Sequence, residues 1–131
     1  MKRIQYVVVL LLFTLSSVDL YAQRDNWVRL GSRKVNYTLD RDEIPVTYRG
    51  GAFESIRVVV TGGSMNMHKC VVHFENGGVQ EIDLRHTFTR ASSSRVIDLR
   101  GNKRFIEKVV FWYDTKNLSR GRATVTVFGK K

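Results

Sequence analysis

The side chains best suited to chemistry fall in three short stretches. His68, Cys70 and His73 supply the nitrogen and sulfur donors that zinc sites use. In an extended strand, residues two apart share a face, so His68 and Cys70 would converge while His73 points away. Two ligands do not hold zinc, and no metal is expected. Asp40, Asp42 and Glu43 place carboxylates at the spacing with which calcium loops begin. The glycine and the bidentate acid that complete such loops do not follow, so these acids read as a polar turn that caps backbone N–H groups or pairs with arginines. His86, Asp98 and Glu107 are the groups a hydrolase would have to gather. The chain carries no nucleophile-elbow serine, no paired-histidine zinc motif and no glycine-rich phosphate loop. No catalytic residue and no cofactor is therefore expected, and a hydrolase is the least favoured reading.

The remaining chemical signal is charge. Residues 23–84 carry eight lysines and arginines against eight acids, and residues 85–131 carry twelve against three, a net of +9. Such an imbalance speaks to partners rather than to fold. The candidate anion-binding residues are Arg85, Arg90, Arg100, Lys103, Arg104 and Lys108. An anionic polysaccharide or a lipid headgroup would suit them. Nucleic acid is not expected, because the glycine-flanked aromatic motif of a single-strand RNA platform is missing. Trp27, Trp112, Tyr37, Tyr48 and Tyr113 could stack on sugars, but most lie in strand patterns, where aromatics more often build core. Tyr48, beside Arg49, is the one expected at the surface. Asn36-Tyr37-Thr38 and Asn117-Leu118-Ser119 have the form of glycosylation sequons.

The address comes from the other end of the chain. Lys2 and Arg3 precede an apolar run over residues 7–15, and the segment closes on Tyr21-Ala22. That order is a secretory signal peptide over residues 1–22, with export to the periplasm or the medium. The apolar run is shorter than the ~20 residues a membrane span needs. One domain is expected over residues 23–131. Cys70 is the only cysteine, so the domain forms no internal disulfide, and the thiol is expected to pack as a small buried hydrophobe.

Something must position these side chains, and period-two alternation recurs throughout. Strands are expected over 27–31, 34–39, 44–47, 53–61, 65–74, 79–84, 95–99, 105–113 and 122–128. Gly31 ends the first, Gly50-Gly51 and Gly62-Gly63 make turns, and Asn76-Gly77 makes a hairpin with a two-residue turn. Pro45 marks an edge strand, since proline has no N–H for a ladder. Residues 85–94 read as a polar loop. In the strand over 105–113, Ile106 falls out of step with Val109, Phe111 and Tyr113, and a β-bulge near Glu107-Lys108 would restore one face. Eight or nine short strands with turns every 8–12 residues give an all-β, antiparallel, jelly-roll-like sandwich, with a closed barrel as the alternative.

Several of these landmarks occur together in one known family. They are Leu30-Gly31, Asp40-Arg41-Asp42 with Ile44 and Val46, Phe53 and Ile56, and Asn76-Gly77. Ser94-Arg95-Val96-Ile97-Asp98-Leu99 with Gly101, Arg104 with Ile106, Val109-Phe111-Tyr113, Arg122-Ala123 and Phe128-Gly129 complete the set. The chain resembles a family of small exported bacterial proteins classed only as a domain of unknown function. The resemblance implies bacterial origin and a periplasmic or secreted address, and it carries no activity or ligand. The landmarks suggest that Asp40 or Asp42 is salt-bridged to Arg95 or Arg104, tying the acidic turn to the C-terminal strands. The expected function is a non-enzymatic binding module for an anionic envelope component or glycan. The alternative is an accessory protein that binds another exported protein, by strand addition at the edge marked by Pro45.

Overall fold

The computed structural model describes residues 27–35, 41–47, 51–84, 86–89, 91–114 and 122–131. The expected leader, both sequons, Tyr37 and Tyr48 lie outside the described residues. The strands are β1 (Trp27–Lys34), β2 (Arg41–Pro45), β3 (Ser55–Thr61), β4 (Met65–Phe74), β5 (Val79–Ile82), β6 (His86–Phe88), β7 (Ala91–Ser93), β8 (Ile97–Asp98), β9 (Ile106–Asp114) and β10 (Thr124–Lys130). Sheet A has the order β1-β10-β3-β7, with β8 also paired to β3; sheet B has the order β2-β9-β4-β5, with β6 also paired to β4. Every strand pairing is antiparallel. The chain passes repeatedly from one sheet to the other, which is the jelly-roll-like sandwich the alternation implies. Among the described residues the sheets stay separate, so no closed barrel is seen.

The core lies between the inner faces and follows the alternation. Val125 and Val127 of β10, Ile56, Val58 and Val60 of β3, and Cys70 and Val72 of β4 belong to one buried cluster. The expected bulge in β9 is present. Its pairing with β4 steps from Ile106↔Phe74 to Lys108↔His73, so Glu107 is the extra residue. Ile106, Val109, Phe111 and Tyr113 consequently all enter the core. The hairpin at Asn76-Gly77 also forms, with a different turn. Only Gly77 takes a positive φ, of 89°, and Phe74 N–H bonds Gly78 O at 2.9 Å. The connection is thus a three-residue loop with glycine at the left-handed position, rather than a two-residue turn.

Two expectations are corrected. The chain does not break at Gly31, because β1 runs through it with a bulge that skips Leu30. Leu30 is buried in the core. Residues 85–94 are not simply a loop. β6 adds to sheet B and β7 to sheet A, with Phe88 fully buried as the anchor between them. One apolar residue suffices to fix such a segment when its backbone completes a ladder, a signal that periodicity does not carry. Pro45 does end an edge strand, since among the described residues β2 pairs only with β9. Beyond it the chain crosses between sheets: Val46 N–H bonds Glu107 O and Thr47 N–H bonds Leu30 O, each at 3.0 Å.

Candidate anion-binding surface

The metal candidates separate. A register shift between Met67 and Lys69 makes His68 the extra residue of β4. His68 is thereby turned to solvent, where its Nε2 meets Asp114 Oδ2. Cys70, expected to share its face, is fully buried in the core, and burial pushes its thiol up from 9.0 to about 12. Among the described residues, no three potential ligands gather. Tyr113, a candidate sugar stacker, is core. Trp112 is half-buried on the outer face of sheet B.

The expected salt bridge takes a different partner. Asp42 is buried, accepts a hydrogen bond from the Tyr113 hydroxyl at 3.0 Å, and lies 3.3 Å from Arg33 Nε. The tie therefore runs from β2 to β1, and not to Arg95 or Arg104. Strand order supplies the reason: β1 and β2 are the matching edges of the two sheets, whereas Arg95 sits between β7 and β8 at the opposite edge. Arg95 donates to Asp83 O at 3.2 Å. Asp40 lies outside the described residues. The same edge bears on strand addition. A Cβ on Gly31 would stand 2.7 Å from Pro45 O, so β1 closes on the Pro45 end of the edge expected to take an added strand.

The outer face of sheet B neutralises itself. Glu43 takes Arg41 at 3.0 Å and Lys108 at 3.2 Å, and Lys69 lies 3.7 Å from Glu81. The hydrogen bonds from Arg41 and then Lys108 hold the Glu43 carboxyl below its ordinary range. Trp112 stands between cross-strand neighbours Arg41 and Lys69, which lie 5.4 and 4.9 Å from its ring centroid. Lys108 is therefore committed to Glu43, not to the expected patch.

Three of the six expected cations do come together, at one end of the sandwich. Gly101 and Asn102, with φ of 86° and 63°, make a tight turn between β8 and β9. Such angles suit glycine and asparagine best among the residue types. The turn puts Arg100 and Lys103 in solvent and folds Arg104 back. Arg104 Cζ lies 3.7 Å from the Phe74 ring centroid, and its guanidinium donates to Arg100 O at 2.8 Å and to Asn76 Oδ1 at 3.4 Å. Phe74, Glu75, Asn76, Lys103, Arg104 and Phe105 line a recess of about 420 Å³. Phe105 is 54% exposed. Arg85 and Arg90 lie outside the described residues.

A family model matches residues 6–129, almost the whole chain. The protein belongs to the DUF2541 family. That family is described as a domain of unknown function, in line with the resemblance drawn from the landmarks. No curated protein matches the chain. Solved structures similar to this DUF2541 chain include Pseudomonas aeruginosa AlgX, with 14% identity and a TM-score of 0.48 over 79% of this chain and 26% of that one. The STIV MCP gives 8% identity and a TM-score of 0.48 over 77% and 48%. The family 29 carbohydrate-binding module CBM29-2 gives 10% identity and a TM-score of 0.40 over 80% and 76%. The chain thus spans about a quarter of AlgX and about half of the STIV MCP. No functional statement follows from likenesses at these levels. Among the described residues of this DUF2541 protein, no helix is long and apolar enough to cross a membrane.

Proposed function

We propose that this DUF2541 protein is a non-enzymatic binding module, exported on a leader spanning residues 1–22, that holds an anionic envelope component or glycan. The contact proposed is the recess beside the turn at residues 100–105. One observation carries the reading: the Arg104 guanidinium is fixed in the recess wall by Phe74, Arg100 O and Asn76 Oδ1. Those bonds use two of its five N–H donors, and the cation is held in place before any ligand arrives. Lys103 and Arg100 add exposed positive charge around it, and the exposed Phe105 ring offers an apolar surface. Glu75 is the one acid among the lining residues, so the recess favours a ligand whose anionic groups approach from the Lys103 side.

The test is retention of the mature protein on immobilised dextran sulfate. An Arg100→Gln/Lys103→Gln variant should elute at clearly lower salt than the parent, because each displaced cation reduces the counterion release that drives binding. Parent and variant eluting together, or retention that ignores salt, would contradict the proposal.

A further inference from the structure

We propose that the outer face of sheet A is a second binding surface, separate from the recess, and that its ligand is an acidic polysaccharide of the hexuronate type. Register builds the site. Phe128 of β10 stands between Arg29 of β1 and Arg57 of β3, and Trp27 is opposite Lys130. Arg57 lays its guanidinium 4.7 Å from the Trp27 ring centroid. Three cations and two aromatic rings therefore share one patch of strand surface.

Among the described residues, no acid answers the charges on this patch. No described acid lies within ion-pair distance of Arg29, Arg57 or Lys130, in contrast to sheet B, where Arg41, Lys69 and Lys108 each have a carboxylate. Arg29 donates only to Ser32 Oγ among the described residues. Arg57 Nε is buried and has no hydrogen-bond partner, an uncommon state for a guanidinium, whose donors are nearly always matched. Two described acids adjoin this face: Glu54, whose backbone N–H donates to Lys130 O at 2.8 Å, and Asp98. Asp98 sits on β8, two strands from Lys130, and accepts a hydrogen bond from Ser55 Oγ at 3.0 Å.

The form of the patch selects the ligand. A hexuronate chain repeats one carboxylate per sugar and presents C–H faces between them. Arginines grip carboxylates, and aromatic rings accept the C–H faces. Trp27, Phe128 and Arg57 are half-buried on three neighbouring strands, which suits a linear polymer lying across the strands. A membrane-seeking surface needs apolar side chains that project into the interface.

The two tryptophans permit a direct test, since Trp27 and Trp112 lie on opposite outer faces. In a Trp112→Phe background, titration with polygalacturonate should shift Trp27 emission saturably, and added salt should weaken the effect. In that background Arg29→Gln/Lys130→Gln, two surface changes, should lower the affinity by about tenfold or more. Arg57→Gln should do likewise, with a thermal melt confirming that it folds. The Arg100→Gln/Lys103→Gln pair should leave the Trp27 response intact, so failure of the recess and failure of this face are told apart. A Trp27 signal that does not respond, or a double variant that binds like the parent, overturns the proposal. So does an equal response to uncharged dextran or to polyaspartate, and so does a response to phosphatidylglycerol vesicles alone.

Discussion

Asp42 offers the most direct test of what holds the β2 edge in place. It is 4% exposed and is held by two partners of unequal worth. The Tyr113 hydroxyl donates to it from within the core, a charge-assisted buried bond worth about 1.5–3 kcal/mol. Arg33 stands beside it with 53% of its side chain exposed, so that ion pair is solvent-screened and contributes about 0.2–1 kcal/mol. Asp42→Ala removes both and should destabilise the domain by about 2–4 kcal/mol. Tyr113→Phe should cost about 1.5–3 kcal/mol, because it leaves a buried carboxylate with Arg33 as its described partner. Arg33→Gln should cost no more than about 1 kcal/mol. Urea denaturation of the protein, followed by tryptophan fluorescence, measures each value. In a domain of this size each kcal/mol moves the melting temperature by about 4–8 °C. The Asp42→Ala/Tyr113→Phe double-mutant cycle should give a coupling of about 1–2 kcal/mol. A coupling near zero, or an Arg33→Gln variant as damaged as Asp42→Ala, would refute the assignment of the energy to the buried bond.

Two further outcomes follow from packing. Gly31→Ala should destabilise by about 1–3 kcal/mol, since its Cβ would meet Pro45 O at 2.7 Å and Ile44 Cγ2 at 2.9 Å; an unchanged melting temperature would show that the two edge strands can separate freely. Cys70 should resist Ellman's reagent in the native domain at mildly alkaline pH and react in concentrated guanidinium. Its folded value of about 12 lies above the ordinary 9.0. The stability it contributes is therefore complete below about 9 and declines as pH rises toward about 12. Native reactivity at the unfolded rate would show that the core opens there.

The strand pattern and its inward residues were legible in the sequence because a strand buries alternate positions whatever its neighbours are. Even the β9 bulge was legible, because Ile106 broke step with three apolar residues that had to share its face. The Gly101-Asn102 turn likewise gathered Arg100, Lys103 and Arg104, cations close enough in the chain for local geometry to unite them. Lys108 was not legible in the same way: its partner, Glu43, arrives from a strand far away in sequence. The salt bridge of Asp42 failed as an expectation for the same reason. Only the strand order makes β1 and β2 facing edges and sends Arg95 to the other side.

Composition alone established that positive charge is concentrated in residues 85–131, and it left the function open. Tertiary structure decided which cations meet no described carboxylate. Pairing β10 between β1 and β3 brings Lys130 beside Arg29 and Arg57, two residues from the half of the chain whose charges cancel. Net charge counts residues along the chain, whereas a ligand meets those that hydrogen-bonded register places on one face. The sequence by itself determined an all-β antiparallel domain and its inward residues, with sandwich and barrel both open; the pairing of the strands decided between them and determined which arginines meet a described carboxylate and which do not.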